Sequence, residues 1–191
     1  NDCARAYLHY ETGDIADADR VLTRAMSGLQ MSGMALPLVL ARITRAKIMI
    51  SRDRLQDAET MLAQLDELVE LQRNTRLQAL VCYEKMRLRF YAGQRADDLI
   101  ARYDLASRCV QVETLFLDEY QEEHLFWLKS KLIAYLMDAD FAAASEDALK
   151  GMIKSLHLGC WRHRITFCLF KALSEFRLNR YSDACASYNR A

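Results

Sequence analysis

Large apolar residues recur along this chain at three- and four-residue spacings, with polar residues between them, the pattern of amphipathic helices. Within that pattern one phrase returns five times: a turn, a large apolar residue, a small one three later, a bulky one four later and a small one three later. The copies are Ile15/Ala18/Leu22/Ala25, Leu55/Ala58/Leu62/Leu65, a degenerate copy after Gly93 with Leu99 and Tyr103 as its core residues, Phe141/Ala144/Ala148/Gly151, and Tyr181/Ala184/Tyr188/Ala191. The steps are 40 residues from Ile15 to Leu55, 86 over two repeats to Phe141, and 40 to Tyr181. A fixed period of this size is the signature of stacked helical hairpins.

The spacing predicts first helices over 2–12, 36–51, 75–92, 119–138 and 161–178, and second helices over 15–31, 54–72, 95–112, 140–157 and from 181 onward. Capping chemistry supports these limits. Gly33 and Gly159 stand where helices should end in a left-handed residue, and Pro37 stands in a first turn. Asp14, Asp53 and Asp140 precede second helices, where a short carboxylate can accept from free backbone N–H groups. The alanines let two helices joined by a short turn approach closely, and the bulky residue one turn on fills the wider gap. Ala58→Leu or Ala184→Leu should therefore overpack its hairpin and cost about 1–3 kcal/mol, measured by denaturant unfolding. The segment 109–122 is the one irregular connection and reads as a linking turn, an extra helical turn or an extension of a neighbouring helix, rather than a ligand-gating loop.

These features predict an all-α, right-handed superhelix of about ten antiparallel helices, paired into five hairpins over 1–35, 36–74, 75–116, 117–158 and 159–191 and forming a single domain over 1–191. Composition agrees: the chain has one proline and six glycines, too few for a fold of strands and tight turns. Its net charge is zero, so no direct contact with nucleic acid is expected. No stretch approaches the roughly 20 apolar residues that cross a bilayer. Cys3, Cys82, Cys109, Cys160, Cys168 and Cys185 have no framework spacing, which suits thiols in a reducing cytoplasm rather than disulfides. The chain opens on Asn and its fifth repeat stops inside the second helix, which reads as a fragment of a longer protein.

Motifs with possible chemistry are few. Gly28 and Gly33 have phosphate-loop spacing but lack the following Lys and Ser/Thr. His157, Cys160, His163 and Cys168 are metal-ligand types, but they straddle a helix end and a turn. They read as core thiols with surface histidines, and no metal is expected. Glu119, Glu122 and Glu123 beside His124, like Asp97 and Asp98, read as solvated helix faces with charge pairs. With no nucleophile, oxyanion loop or convergent polar site, the chain is not expected to be an enzyme. The remaining candidates are residues of the first helices, which line the inner surface of such a stack: Arg42, Arg45, Arg87, Tyr91, Trp127, Lys131, Arg162 and Arg164. Arginine and aromatic side chains concentrate binding energy when desolvated.

The first and fifth repeats resemble tetratricopeptide repeats, carried by Gly13-Asp14-Ile15 with Ala18, Leu22 and Ala25, and by Ala172 with Tyr181, Ala184, Tyr188 and Ala191. The pitch near 40, the long second helices and the run from Ala148 to Arg162 resemble the superhelical region of the large ATP-dependent bacterial transcription regulators of the LuxR-type, MalT-like group. That resemblance implies a cytoplasmic sensor domain that binds a small-molecule inducer or a regulatory protein and leaves self-association open. It also implies that ATP and DNA belong to other domains, so this region needs no cofactor of its own. A generic adaptor scaffold for protein–protein interaction is the alternative. It would need a lysine, arginine and asparagine clamp for a terminal carboxylate, and the first helices offer almost no asparagine.

Overall fold

The computed structural model describes residues 2–32, 35–105, 108 and 122–191. Regular structure among them is entirely helical: α1 (Asp2–Glu11), α2 (Ile15–Ser32), α3 (Ala35–Ser51), α4 (Leu55–Ala63), α5 (Leu65–Gln72), α6 (Thr75–Tyr91), α7 (Asp97–Arg102), α8 (Glu122–Met137), α9 (Phe141–His157), α10 (Trp161–Arg177) and α11 (Tyr181–Tyr188). The limits follow the sequence reading closely, with two exceptions. The second helix of the second repeat breaks at Gln64 into α4 and α5. That expected over 95–112 in the third repeat is interrupted at Tyr103 and Asp104 after the six-residue α7, and residues 106, 107 and 109–112 of that range lie outside the described residues. Gly33, Cys109 and residues 109–121 of the irregular connection lie outside the described residues. No helix among the described residues is long and apolar enough to cross a membrane.

The chain divides into two compact units, Asn1–Leu88 and Arg89–Ala191. In the first, one apolar cluster joins Ala6, Ala18, Val21 and Leu22 to Ala41 and Ile48. A second joins Val39, Ile43 and Ala46 of α3 to Ala58, Leu62, Leu65 and Val69, closed by Leu77, Val81 and Leu88 of α6. In the second unit Leu125, Leu128, Leu132 and Leu136 of α8 meet Ala144, Ala148 and Met152 of α9 and Phe167 and Cys168 of α10. Contacts also run from α1 to α3 and from α8 to α10, so first helices of successive hairpins touch directly.

The hairpins are made alike because their turns are. Before α2, α4, α9, α10 and α11 the same six-residue closure occurs, and it recurs after α6. A residue in the left-handed region bonds back three residues, and the next bonds back five: Gly13 N–H to Tyr10 and Asp14 N–H to His9, then Asp53 to Ile50 and Arg54 to Met49, Gly93 to Phe90 and Gln94 to Arg89, Ala139 to Leu136 and Asp140 to Tyr135, Gly159 to Leu156 and Cys160 to Ser155, Asn179 to Phe176 and Arg180 to Glu175. These are Schellman turns, which satisfy carbonyls at a helix end. In the same closures the amides of Ala18, Ala58, Ala144 and Ala184 bond the carbonyls of Asp14, Arg54, Asp140 and Arg180, which fixes each small residue on the first inward-facing turn. Ala18, Ala58, Ala144 and Ala184 are all buried.

Asp14 and Asp140 cap as expected, accepting from the Asp17 and Ala143 amides at 3.2 and 3.1 Å. Asp53 does not. It occupies the left-handed position itself (φ 58°), one residue early, and Arg54 precedes α4 with no side-chain cap bond. Ala139 fills that position in the fourth repeat at φ 58°, where a Cβ crowds the following carbonyl. Ala139→Gly should raise stability by about 0.5–1 kcal/mol, read as a higher denaturant midpoint with an unchanged slope.

Tyr188, expected to pack between repeats, is 65 % exposed because no helix of the described residues lies over that side of α11. Ala25 is half-buried, while Leu22 and Leu62 are fully enclosed.

Candidate binding surfaces

Several of the cationic and aromatic side chains of the first helices are engaged by neighbours. In the first unit Arg87 Nη1 is 2.7 Å from Glu84 Oε2, and Lys47 Nζ is 3.0 Å from Glu84 Oε1. Arg87 also lies over the Tyr83 ring at 5.8 Å, and Lys47 near the Tyr7 ring at 5.7 Å. Burial raises the Tyr10 phenol above its ordinary pKa, with the Arg87 charge and hydrogen bond opposing it. Thus α1, α3 and α6, all first helices, meet at one polar cluster around the buried Glu84 carboxylate. Next to Glu84 on α6, Lys85 reaches Asp66 of α5 at 2.5 Å. Arg45 is half-buried and donates to Met26 Sδ at 3.4 Å, and Arg42 is half-buried too.

In the second unit Trp127, expected to line the inner surface, is a core residue at 2 % exposure. Its ring meets Tyr103 at 6.1 Å, and the Arg108 guanidinium covers it at 4.8 Å. Lys131 is held by Asp147 at 2.8 Å, as is Lys150, also at 2.8 Å. Burial pushes the Asp147 carboxyl up, but the Lys131 and Lys150 hydrogen bonds and charges outweigh it and leave the group below the usual carboxylate range. Arg164 lies half-buried over the Trp161 ring at 5.0 Å. Arg162 and Tyr91 remain exposed. Of the eight candidates, the start of α10 gathers two, Arg162 and Arg164, around an exposed tryptophan.

The residues of metal-ligand type at 157–168 do not converge. His157 is exposed, Cys160 is half-buried at the turn and Cys168 is in the core. His163 is not a surface residue: it is buried, with Nε2 3.1 Å from Glu122 Oε1 and its ring edge-on to Phe126 at 4.9 Å. Its Nδ1 is buried without a partner, which fits a neutral ring donating from Nε2. Glu122 and Glu123 are half-buried and His124 is buried, so this stretch is not a solvated face; Glu119 lies outside the described residues. Asp97 and Asp98 are exposed as expected, paired with Arg95 and Arg89. Among the described residues Cys3, Cys82, Cys160, Cys168 and Cys185 form no disulfide. Among the described residues one group of ligand types comes together, His9, Asp14 and Asp17, and its Asp14 already caps α2.

His163 gives a pH dependence. Burial lowers its pKa from 6.5, opposed by the bond to Glu122 and reinforced by the Lys129 charge. The unfolded chain therefore binds a proton more readily than the folded one. The stability this contributes is present above about pH 6.5 and is lost as pH falls through the lower folded value. Denaturant midpoints should drop from pH 7 toward acid, and His163→Gln should flatten that slope.

A shallow cleft of about 220 Å³ in the second unit is lined by Phe90, Gln94, Ile100 and Met137, with Arg95, Asp97 and Asp138 at its surface. The Arg95 hydrogen bond holds the Asp97 carboxyl below its ordinary range, so that pair is a neutralised rim rather than an acid–base couple.

One exposed apolar feature lies apart from the arginine candidates. On α10 Trp161, Ile165, Leu169, Leu173 and Phe176 form one exposed apolar row; Tyr181 and Tyr188 follow on α11. The signal was present: α10 carries this four-residue recurrence beside the inward series Phe167, Cys168 and Ala172, and a helix apolar on two faces meets two partners. Scattered exposed apolar residues are ordinary, but a contiguous row marks an interaction surface. No protein-family model, curated protein or solved structure matches the chain.

Proposed function

We propose that this chain is a non-catalytic sensor and interaction domain of a cytoplasmic bacterial transcription regulator, as its resemblance to the LuxR-type, MalT-like group implies. The observation that carries the reading is the direct contact of α1 with α3 and of α8 with α10. It sets consecutive first helices side by side, so their outward residues form one surface. Within each unit, stacking of this kind is what the right-handed superhelix expected of such repeats requires. A small-molecule inducer or regulatory protein that binds one curvature of the stack better biases it toward an active, self-associating state. ATP and DNA are then handled by other domains.

The adaptor alternative is weakened by the ion pairs. Arg87 and Lys131, two cations a carboxylate clamp would need, are held by Glu84 and Asp147. Isothermal titration of the chain with candidate inducers and regulatory proteins should give saturable heat with at least one. Silence from both classes, together with an unchanged response of the parent regulator when residues 1–191 are deleted, would end the reading.

A further inference from the structure

The cleft of the second unit has walls from three places: the end of α6 with its closing turn, α7, and the last turn of α8. Its floor is apolar, supplied by Phe90, Ile100, Ala134 and Met137. Phe90 is 39 % exposed there and is held edge-on against Tyr91, with ring centroids 6.3 Å apart. Size is the first constraint. At about 220 Å³ the cleft falls below the roughly 300–1,000 Å³ that takes a drug-sized ligand, so it suits one ring or one short alkyl chain. Charge is the second. Both arginines near the closing turn already have their own carboxylate. Arg95 holds Asp97 with two prongs, Nε at 2.6 Å and Nη2 at 3.0 Å, and Arg89 lies 3.6 Å from Asp98. Asp138 is the carboxylate left over. It lines the cleft, is exposed, and makes no ion pair or side-chain hydrogen bond among the described residues.

From this we infer that the cleft binds a small ammonium compound, its apolar body on the Phe90, Ile100 and Met137 floor and its charge at Asp138. The floor supplies most of the affinity and Asp138 supplies the sign, since an ion pair at an open rim adds only modestly. A small anion is disfavoured twice over. It would meet the Asp138 charge, and it could reach Arg95 only by displacing a two-pronged carboxylate. A neutral compound of the same shape gains the floor alone. Binding here gives the inducer of the proposed sensor a chemical class, and for that meaning it rests on the sensor reading.

The test is a titration of the whole isotope-labelled chain, followed by its backbone amide NMR shifts, with three probes of one shape: phenethylammonium, 3-phenylpropanol and 3-phenylpropionate. Phenethylammonium should give saturable shifts centred on the cleft amides of Gly93, Gln94 and Ala96. It should bind about fivefold more tightly than the alcohol and at least about tenfold more tightly than the acid, and added salt should narrow both gaps. Asp138→Asn changes an exposed side chain and should bring the amine down to the affinity of the alcohol. Ala134→Leu fills the floor and should abolish binding of all three, with the thermal melt retained. Equal binding of amine and acid would overturn the inference, as would shifts scattered away from the cleft or an amine affinity unmoved by Asp138→Asn. Much tighter binding of a lysine-containing peptide than of the free amine would overturn it too, by making the cleft a socket for a partner's side chain. The sensor reading fails separately. Saturable heat from another compound, with no amine binding at the cleft, ends this inference alone. Amine binding at the cleft, with the parent regulator indifferent to deletion of residues 1–191, ends the sensor reading and leaves the site.

Discussion

Gly151→Val should destabilise the second unit by about 3 kcal/mol, and Phe167→Leu in the same chain should recover much of that loss. A Cβ at residue 151 would lie 2.4 Å from Phe167 Cδ1 and 2.5 Å from Cε1, a separation that side chains do not tolerate. The ring cannot step aside, because Phe167 is fully enclosed among α8, α9 and α10. Overpacking a rigid interior typically costs about 1–3 kcal/mol. Alanine at the same site regains nearly 1 kcal/mol of helix propensity and so should cost less, whereas valine regains little and adds two methyl groups. Denaturant midpoints of the two single variants and the double variant form a cycle. A coupling energy near zero would mean that the glycine is not there to admit the ring.

The second large effect concerns charge. Glu84→Ala should cost about 3 kcal/mol, because it leaves Lys47 and Arg87 facing each other with no anion between them. The carboxylate side chain is only 2 % exposed, whereas Lys47 and Arg87 keep 14 % and 23 %. Those two stems can still reach water, which places the cost at the low end for a broken interior pair. Glu84→Gln retains the shape and should fall between parent and alanine. Replacing Glu84 by Leu together with Lys47→Met should be closer to neutral than Glu84→Ala alone, since fewer uncompensated charges remain. The reverse order would show that packing, not charge, governs this site.

The helices and their turns were legible in the sequence because both are set locally. A left-handed closing residue, a short capping carboxylate and an alanine four residues into the next helix lie within one stretch of chain, so spacing alone reveals them. Asp53 shows the limit of that reading: aspartate suits both the cap and the left-handed position, and composition does not choose between them. The break at Gln64 had no glycine or proline to announce it. It accompanies the pairing of Asp66 with Lys85 on α6, a partner 19 residues away. Surface residues were harder for the same reason. Whether Trp127, Arg87 or Lys131 faces water depends on Arg108, Glu84 and Asp147, and only Glu84 is near its cation along the chain. Ile165 and Phe176 escaped notice because apolar residues on a helix suggest a core until the neighbouring helices are placed.

The recurring turns also bear on how the chain acquires its structure. Each hairpin closes over a few residues, so its contacts form after short searches and carry little loop-closure entropy. Folding can then start in several hairpins at once and spread to their neighbours, giving rates set by the best local nucleus. Opening would run the other way. Amide exchange should be fastest in α11, an eight-residue helix with α10 as its chief neighbour, and slowest around Phe167, where three helices share one side chain.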